Sequence, residues 1–441
     1  MVLFMTGCDR GAQRQYAYQH ITVIELSARM SDSDVVLVDT RDSNLFNGWP
    51  ASGDKVGGHI PRARNFSVRW LNASKESLNA LLATKGITAD KQIIAYGSDA
   101  EQWMDWLVAE KDFSPSSLVI LNDGIRGWLK EENTLEVMPG YKDLITPQWL
   151  DQKIRSGKRL SIMDVSWGTG IRFVIEHIPG AVHVDTNLLE SKPLWNLRSP
   201  QGLDKSLLSL GITSDATVVV YGEDMTAAAR MVFTLKHAGV EDVKLLNGGL
   251  TAWKAADLPI ERGSHQPEAA EHFGKTISEG SEILYGTMDV EELLNQPASS
   301  QSKQWLVSVR SWPEYIGKTS GYNYIQPKGR IPGAQWGRSG SDPWHMEDYL
   351  NPDGTLREAA DLVSYWEDFG ASTEDTLVFY CGTGWRASLA WFAAELIGVK
   401  NAGLYDGGWF EWSSDPKRSV LLGDPANQVS NLNKHLQNNG I

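Results

Sequence analysis

One series of short motifs occurs three times along this chain of 441 residues, and the repetition constrains the fold more than any other feature. Each copy opens with an apolar run that ends in a polar residue, followed by a proline motif. The apolar runs are 35–41, 161–166 and 305–310, and the proline motifs are 58–63, 176–181 and 329–334. Each copy then has an apolar strand pattern that ends in Tyr and, further on, a turn followed by Trp. An internal period of this kind indicates several copies of one structural unit.

The spacing within the copies sets their register. The pairs of Tyr and Trp are Tyr96 and Trp128, Tyr221 and Trp253, and Tyr380 and Trp412, each 32 positions apart (128 − 96, 253 − 221, 412 − 380). Short β-branched runs alternate with patterns of helical spacing, for example at 227–237 and 387–397. This alternation predicts an α/β fold of three tandem domains, each with a central parallel sheet covered by helices on both faces.

Stretches rich in Pro, Gly and polar residues separate the copies and predict surface linkers. One lies near residues 138–140 and another spans 262–268. The predicted domains are residues 20–138, 141–262 and 283–416, and residues 417–441 form a C-terminal tail. The length agrees with this division, because globular domains average about 150 residues.

Composition disfavours several classes of protein. The 41 basic and 55 acidic residues give a net charge of −14, which disfavours a nucleic-acid partner. We expect no transmembrane helix, because the chain has no apolar run of about 18 residues. Two cysteines are too few for a disulfide framework or a four-thiolate zinc site, and the sequence offers no recognisable cluster of metal ligands.

The first cysteine lies in a segment that resembles a bacterial lipoprotein signal. Small residues precede the cysteine in Met5-Thr-Gly-Cys8, although the basic start and long apolar run of a signal peptide are absent. Two interpretations stay open. The protein is either exported to the periplasm, with a lipid anchor on Cys8, or cytoplasmic, with an incidental cysteine near its start.

The second cysteine follows the strand pattern of the third copy, in the segment Tyr380-Cys-Gly-Thr-Gly-Trp-Arg386. A strand-to-helix turn lies at the carboxyl edge of a parallel sheet, where ligands bind in open α/β folds. Two glycines let successive N–H groups turn towards one point, and the helix that follows directs its positive end there. These features favour a reactive thiolate at Cys381 over a buried, inert cysteine. Arg386 adds a positive charge with a geometry suited to an oxyanion.

The matching loops of the other two copies have no nucleophile. The first reads Gly97-Ser-Asp-Ala-Glu101 and the second reads Gly222-Glu-Asp-Met-Thr-Ala227. Their acidic side chains would oppose an anion, so we expect the first two domains to be inactive scaffolds.

Together these motifs resemble the rhodanese (sulfurtransferase) family over about residues 20–416. The resemblance rests on Asp-x-Arg, His-Ile-Pro-Gly-Ala, Tyr-Cys-Gly-x-Gly-x-Arg and Asp-Gly-Gly-x-x-x-Trp, and it extends to bacterial sulfurtransferases with three such domains. It implies transfer of sulfane sulfur from a small anionic donor, thiosulfate or 3-mercaptopyruvate, to cyanide, a thiol or a protein acceptor. It also implies a persulfide on Cys381 as the intermediate and no cofactor. The loop residues that would bind donor and persulfide are Gly382, Thr383, Gly384, Trp385 and Arg386.

Two residues depart from the family pattern. Ser308 stands where the family usually has Asp, and Ser166 stands where it usually has Arg. The Asp–Arg pair of the family is mainly structural, so the departures imply altered packing rather than lost activity. Both donors stay open, because Gly382–Gly384 is similar to the loop of mercaptopyruvate enzymes while Arg386 is similar to thiosulfate enzymes.

Two other functions stay open. Rhodanese-fold phosphatases and arsenate-type reductases have a comparable loop, but five residues separate their Cys from their Arg. Only four residues separate Cys381 from Arg386, which makes a loop too tight for a tetrahedral phosphate. The other alternative is a non-catalytic platform that binds a sulfur acceptor.

The third copy has a long insert, with 48 positions between its Pro and its Tyr (380 − 332) against 42 (221 − 179) and 35 (96 − 61). Long inserts near a site often form lids or specificity loops. The segments 317–330 and 336–351 are therefore candidates to line the pocket, with Arg338 and His345 as candidate pocket residues. His59 and His177 recur at one repeat position, which indicates a structural role for them.

Overall fold

In the computed structural model of this chain, residues 16–295 and 303–427 are described. Cys8 and residues 428–441 of the predicted tail lie outside this part of the chain. Each copy of the repeat forms a five-stranded parallel sheet, with helices connecting successive strands. The predicted α/β class with three tandem domains is confirmed.

The first repeat begins with strand β1, and Thr22 caps the helix that follows it. Its strands are β1 (Gln19–Ile21), β2 (Val35–Asp39), β3 (Arg64–Asn65), β4 (Gln92–Tyr96) and β5 (Leu118–Leu121). Its helices are α1 (Val23–Arg29), α2 (Ser43–Asn47), α3 (Lys75–Thr84), α4 (Ala100–Lys111) and α5 (Gly124–Lys130).

The second repeat has the same set of sheet strands and, in addition, a short antiparallel hairpin. Its strands are β6 (Leu144–Ile145), β7 (Ser161–Ser166), β8 (Val182–Asp185), the hairpin strands β9 (Glu190–Ser191) and β10 (Asn196–Leu197), β11 (Thr217–Tyr221) and β12 (Asp242–Leu246). Its helices are α6 (Pro147–Arg155), α7 (Ile171–Ile175), α8 (Pro200–Ser209), α9 (Met225–Ala238) and α10 (Gly249–Ala255).

The third repeat contains the long insert, which lies on either side of its short edge strand β15. Its strands are β13 (Leu284–Tyr285), β14 (Gln304–Ser308), β15 (Gln335–Trp336), β16 (Thr376–Tyr380) and β17 (Asn401–Tyr405). Its helices are α11 (Thr287–Asn295), α12 (Trp312–Tyr315), α13 (Ala359–Glu367), α14 (Trp385–Ile397) and α15 (Gly408–Ser414).

The three sheets share one strand order and one register. The orders are β1-β5-β4-β2-β3, β6-β12-β11-β7-β8 and β13-β17-β16-β14-β15. At the carboxyl edge, the residue two positions before the end of the first motif pairs with the repeated Tyr: Asp39 with Tyr96, Asp164 with Tyr221, and Ser308 with Tyr380. The first motif and the strand that ends in Tyr are therefore neighbours at the same edge in every copy.

The repeated Tyr and Trp residues connect motifs within a repeat. The hydroxyl of Tyr96 accepts the N–H of Ile60 at 3.1 Å, and the hydroxyl of Tyr221 accepts the N–H of Ile178 at the same distance. Each repeated Trp donates its indole N–H to a nearby backbone carbonyl. These bonds run from Trp128 to Thr134 (2.8 Å), from Trp253 to Pro259 (2.8 Å) and from Trp412 to Ser419 (3.1 Å). A buried aromatic residue with a polar atom needs such a partner, which accounts for these conserved types at each repeat position.

The chain divides into two compact units. One comprises the described residues through Phe46 together with Gly57–Glu136, and the other comprises Asn47–Val56 and the described residues from Val137 onwards. Within the second unit, repeats 2 and 3 share a single hydrophobic core, in which α9 packs against α14. The rings of Phe233 and Trp391 meet edge to face there, with centroids 4.8 Å apart. This packing places the start of α14 next to repeat 2.

Each repeat ends with a backbone bridge to its own proline motif. The bridges join His59 to Glu136, His177 to Glu261 and Arg330 to Leu421. The third bridge lies in the predicted tail, whose Gly423 also donates its N–H to the carbonyl of Ile316 at 2.8 Å. Residues 417–423 therefore complete the third repeat. Among the described residues, no helix is long and apolar enough to cross a membrane.

Candidate active site

The candidate site lies at the carboxyl edge of the third sheet, between β16 and α14. Strand β16 ends at Tyr380, residues 381–384 form the turn, and α14 begins at Trp385. The helix predicted at 387–397 is confirmed and is slightly longer at its start. The turn therefore points a loop of backbone N–H groups and the positive end of a 13-residue helix at one place.

Cys381 lies inside this turn. Its thiol is free and only 1% of the residue is exposed. The N–H of Gly384 donates to the Cys381 sulfur at 3.2 Å. Gly384 has φ of +101°, and a Cβ there would lie 2.7 Å from Nη1 of Arg230. A Cβ on Gly382 would collide with the ring of Tyr322. A side chain at either position would therefore collide with its neighbours. Of the N–H groups predicted to turn towards the sulfur, that of Gly384 makes a hydrogen bond to it.

Arg386 does not point freely at a substrate. Its Nη1 donates to Oε2 of Glu314 and its Nη2 to Oε1, both at 2.9 Å, in a bidentate pair. Its terminal nitrogens also donate to Ser339 Oγ (3.3 Å) and to the hydroxyl of Tyr322 (3.2 Å). The side chain is 2% exposed. A buried carboxylate therefore already pairs with the charge of Arg386, and binding of the donor by this residue stays a prediction.

Glu314 explains why the third repeat tolerates Ser308 at the position of the usual Asp. In the first repeat, Arg41 pairs with Asp39 at 2.6 Å and also donates to the carbonyl of Gly58. In the third repeat Arg310 keeps the equivalent bond to the carbonyl of Gly329, at 2.7 Å, but its carboxylate partner is Glu314, at 3.3 Å. Although burial opposes it, the charges of Arg386 and Arg310 lower the pKa of Glu314 to about 2.

Aromatic side chains from the long insert form one wall of the site. Tyr322 and Tyr324 stack with ring centroids 5.3 Å apart, and Trp344 meets Tyr322 edge to face at 5.4 Å. The side chain of Thr383, in the loop, lies close to that of Tyr324. Burial raises the pKa of the Tyr322 hydroxyl despite the neighbouring Arg386, so this group is a neutral hydrogen-bonding partner at neutral pH.

Repeat 2 supplies a second wall. Both carboxylate oxygens of Glu190, in the hairpin strand β9, lie 3.0 Å from the indole nitrogen of Trp385, which donates to them. Arg230, on α9, donates to Glu190 at 2.7 Å and also pairs with Asp406 behind Gly384. Burial raises the pKa of Glu190 to about 7 even with Arg230 beside it. Residues of repeat 2 therefore support the loop of repeat 3 that contains Cys381.

Of the two insert residues predicted to line the pocket, neither has a described contact with the loop. Arg338 pairs with Asp368 at 2.8 Å and lies over the ring of Tyr365. His345 is exposed and bonds Asp342 at 2.8 Å. Their sequence neighbours make the contacts instead, because Ser339 bonds Arg386 and Trp344 packs on Tyr322. The insert itself does reach the site, as expected.

Several site residues escaped the sequence analysis. Glu190 and Arg230 come from another repeat, and no motif connects them with Cys381. Glu314 and Tyr322 lie in the third repeat, where the missing Asp at position 308 was the available signal for a substitute carboxylate. The missing Asp alone could not identify the substitute, because the sequence does not show which side chain faces Arg310.

The three parallel sheets, the turn that contains Cys381 and the repeat spacing together define a class of protein. Residues 22–131, 146–256 and 289–415 each match the rhodanese-like domain family, and the chain belongs to this family. The resemblance noted in the sequence is confirmed.

Several similar proteins are described as sulfurtransferases. The chain is 41% identical over 398 residues to the thiosulfate sulfurtransferase YnjE of Escherichia coli K12, covering 88% of this chain and 89% of that protein. The crystal structure of YnjE superposes with a TM-score of 0.83 and 39% identity, covering 93% of this chain and 97% of YnjE. A Pseudomonas aeruginosa protein described as "Probable 3-mercaptopyruvate sulfurtransferase" is 31% identical over 276 residues, covering 60% of this chain and 91% of that protein. These relatives support sulfurtransferase activity.

The solved structures of EanB are also similar, with a TM-score of 0.85 and 34% identity. One of these structures carries a cysteine persulfide in a tetrahedral intermediate state with ergothioneine. The match to it covers 92% of this chain and 100% of EanB. Forms of EanB with a substitution at a tyrosine 59 positions before the persulfide cysteine hold ergothioneine. A form with a substitution at a threonine two positions after that cysteine holds hercynine. In this chain Tyr322 is 59 positions before Cys381 (381 − 322), and Thr383 is two positions after it.

Proposed function

We propose that this protein transfers sulfane sulfur from thiosulfate to a thiophilic acceptor through a persulfide on Cys381. The observation that carries the proposal is the position of the Cys381 sulfur, which accepts the N–H of Gly384 at 3.2 Å at the start of α14. N–H groups and a helix terminus aimed at one sulfur atom stabilise negative charge there, first on the thiolate and then on the persulfide.

The first step is a displacement at sulfur. The Cys381 thiolate attacks the outer sulfur of thiosulfate, a sulfur–sulfur bond forms, and the bond to the sulfite group breaks with its electron pair leaving on sulfite. In the second step an acceptor such as cyanide attacks the outer sulfur of the persulfide and leaves as thiocyanate, which restores the thiolate. Neither step needs a cofactor or a proton transfer.

The surroundings of Cys381 favour a compact anion as donor. The guanidinium of Arg386 is occupied by Glu314, so the donor's charge would be met by loop N–H groups. Thiosulfate carries its charge next to the sulfur that reacts, whereas 3-mercaptopyruvate also needs a partner for a separate carboxylate. We therefore propose thiosulfate as the donor, with 3-mercaptopyruvate as the alternative.

Mass spectrometry of the intact protein tests the proposal. After incubation with thiosulfate and removal of excess donor, we expect a mass increase of one sulfur atom that peptide mapping locates on Cys381. Cyanide should remove the added sulfur and release thiocyanate. The matched controls are Cys381→Ser, which should not be labelled, and Cys8→Ser, which should be. A Cys381 that gains no sulfur from thiosulfate or 3-mercaptopyruvate would refute the proposal.

A second candidate acceptor is an imidazole compound that carries a quaternary ammonium group, such as hercynine. Tyr322 and Thr383 have the spacing from Cys381 that the varied tyrosine and threonine have from the persulfide cysteine of EanB. The rings of Tyr322, Tyr324 and Trp344 also provide aromatic faces of the kind that attract a quaternary ammonium group. Here the outer persulfide sulfur would bond to the imidazole carbon, and the sulfur–sulfur bond would break with its electron pair passing to the Cys381 sulfur. The proton lost from that carbon would then be taken up by the Cys381 thiolate.

Product analysis separates the two acceptors. The persulfide form of the protein is mixed with hercynine or with cyanide, and the sulfur-containing products are quantified by chromatography and mass spectrometry. Ergothioneine formation that falls in Thr383→Ala while thiocyanate formation persists would support the second candidate. Thiocyanate without any ergothioneine would exclude hercynine as an acceptor and leave the first proposal intact.

A further inference from the structure

Three side chains able to bind a metal meet at the closing bridge of repeat 2. His177 and Glu261 face each other across this bridge, and His265 follows Glu261 by one helical turn's spacing in the sequence. One ligand atom of each residue lies within 4.8 Å of those of the other two. The cluster is separate from the residues assigned to sulfur transfer.

His177 is oriented as a metal-binding histidine is. Its Nδ1 lies 2.7 Å from the carbonyl oxygen of Phe173, and since a carbonyl only accepts, Nδ1 carries the proton. The ring also stacks on Phe173 with centroids 4.0 Å apart. Nε2 therefore keeps a lone pair when the ring is neutral, and it is buried without a hydrogen-bond partner. A fixed Nδ1–H bond to a backbone carbonyl is the usual support for a metal-binding imidazole.

The other two ligands surround this buried nitrogen. Oε2 of Glu261 lies 3.7 Å from Nε2 of His177, and Oε1 lies 3.0 Å from Nε2 of His265. Zinc bonds of about 2.0–2.2 Å in a tetrahedron place neighbouring ligand atoms about 3.3 Å apart, between these two values. The N–H of Gly180 donates to Oε2 of Glu261 at 2.7 Å and so orients the carboxylate. His265 is 47% exposed, so its ring has room to adjust and one side of the cluster opens to solvent.

We propose that His177, Glu261 and His265 bind one divalent transition-metal ion of the zinc type, with water or a small anion as fourth ligand. Two imidazoles and one carboxylate are a ligand set that suits zinc. The metal would take the place of the proton between His265 and Glu261. It would also link the proline motif of repeat 2 to the segment that leads into the linker at 262–268.

Repeat 1 contains the same arrangement without the third ligand. Nδ1 of His59 lies 2.8 Å from the carbonyl of Phe46, and Nε2 lies 3.7 Å from Oε2 of Glu136. Four positions after Glu136 the chain has Gly140, where repeat 2 has His265 after Glu261. The shared His–Glu pair therefore accounts for the structural role expected for both histidines, while His265 is the addition that makes a metal site in repeat 2.

Binding of Zn²⁺ and Co²⁺ to the full-length chain tests this inference. The double variant Cys8→Ser/Cys381→Ser serves as the background, because it removes both thiols as competing ligands. Isothermal titration with Zn²⁺ gives stoichiometry and affinity, and the visible absorption of Co²⁺ reports tetrahedral coordination. Within this background His265→Ala removes the exposed ligand with little risk to folding. His272→Ala is its control, because His272 is an exposed histidine outside the cluster, and Glu136→Gln tests the pair in repeat 1.

We expect one equivalent of Zn²⁺ to bind, with at least about a tenfold weaker affinity in His265→Ala and an unchanged affinity in both controls. The tetrahedral Co²⁺ spectrum should disappear in His265→Ala and persist in His272→Ala. Equal binding by the background and His265→Ala would overturn the inference, and so would the absence of a tetrahedral Co²⁺ spectrum.

Discussion

Repeats 2 and 3 have the same strand order and register, and they differ where the strand that ends in Tyr passes into the next helix. Three residues, 222–224, separate Tyr221 from α9, whereas four residues, 381–384, separate Tyr380 from α14. Both helices end before a glycine 18 positions after the Tyr (239 − 221, 398 − 380). The loop of repeat 3 therefore gains one residue from the first turn of its helix.

This exchange decides what the helix terminus binds. In repeat 2 the carboxylate of Asp224 accepts the N–H of Thr226 at 2.8 Å and its hydroxyl at 2.7 Å. In repeat 3 the cap is Gly384, which has no side chain and gives its N–H to the Cys381 sulfur. An internal carboxylate thus fills the position in repeat 2 that repeat 3 leaves for an anion. The anion site proposed in repeat 3 therefore depends on the absence of a capping carboxylate from its loop as well as on the presence of Cys381.

The two repeats also divide the usual Asp–Arg pair between them. Repeat 2 keeps the acid, Asp164, and has Ser166 in place of the base. Repeat 3 keeps the base, Arg310, and has Ser308 in place of the acid. Only repeat 3 has a substitute partner, since Glu314 pairs with both Arg310 and Arg386. In repeat 2, burial raises the pKa of Asp164 to about 6.

The largest expected effect follows from removing the nucleophile of repeat 3. Cys381→Ser should lower kcat/KM for sulfur transfer from thiosulfate to cyanide by at least about 10⁴-fold, because a serine hydroxyl cannot form the persulfide. Steady-state assays of thiocyanate formation measure the effect, and circular dichroism verifies the fold. Cys8→Ser should retain full activity. Activity in Cys381→Ser above a few per cent would mean that another repeat contributes to the chemistry.

The second expected effect concerns the buried pair of Arg386 and Glu314 in repeat 3. Arg386→Ala should lower the free energy of unfolding by about 3–5 kcal/mol, because it removes the bidentate partner of the buried Glu314 carboxylate and leaves the single contact with Arg310 at 3.3 Å as its ion pair. Chemical denaturation measures the loss. Arg386→Lys, which keeps the charge but not the bidentate geometry, should lose less. Unchanged stability together with a raised KM for thiosulfate would instead assign Arg386 to donor binding.

The parts of this comparison that the sequence could predict are those that repeat along the chain. The constant spacing of Tyr and Trp specifies three equivalent sheets. The turn after Tyr380 marks the cysteine that is predicted to react, because local backbone and helix geometry determine its environment. Long-range contacts are different in kind. Glu190 reaches Trp385 from the β9–β10 hairpin, which has no counterpart in the described parts of the other repeats, so no internal comparison reveals it.

The sequence also did not reveal that Glu314 neutralises the charge of Arg386. The positive charge of Arg386 was visible in the sequence, and a free Arg beside a cysteine indicates an anion site. Its carboxylate partner lies 72 positions earlier (386 − 314), on α12. Whether a buried Arg binds substrate or protein depends on such a partner, and sequence spacing carries no information on which carboxylate faces the guanidinium.

A smaller effect on stability is expected when Asp164 of repeat 2 or Asp39 of repeat 1 is replaced by Asn, and it should differ in sign between the two. Desolvation raises the pKa of Asp164 from 3.8 to about 6, so the folded state holds this proton more tightly than the unfolded state. Its contribution to stability is therefore fully present below pH 3.8 and is lost as the pH rises through about 6. Asp164→Asn should cancel this loss and stabilise the protein at pH 8 by about 1–3 kcal/mol relative to wild type.

The matched substitution is Asp39→Asn, which should destabilise the protein where Asp164→Asn stabilises it. Asp39 pairs with Arg41 at 2.6 Å, so its replacement leaves a largely buried guanidinium without its carboxylate. Denaturation of both variants at pH 4 and pH 8 tests the pair of expectations. If Asp164→Asn destabilised the protein at pH 8 as Asp39→Asn does, the buried acid of repeat 2 would have to be stabilised in its ionised form.

The smallest effect concerns the carboxylate that fills the loop of repeat 2. Asp224→Ala should cost about 1 kcal/mol of stability, because it removes an N-cap bond from α9. The control is Asp99→Ala in repeat 1, where the Asp at the start of α4 makes no side-chain cap bond and the change should stay within about 0.5 kcal/mol. Amide hydrogen exchange in the first turn of each helix, with urea denaturation, distinguishes the two. Equal losses of unfolding free energy in the two variants would show that the contrast between the loops lies in the backbone alone. A loss confined to Asp224→Ala would identify the Asp224 carboxylate as the group that occupies the start of α9.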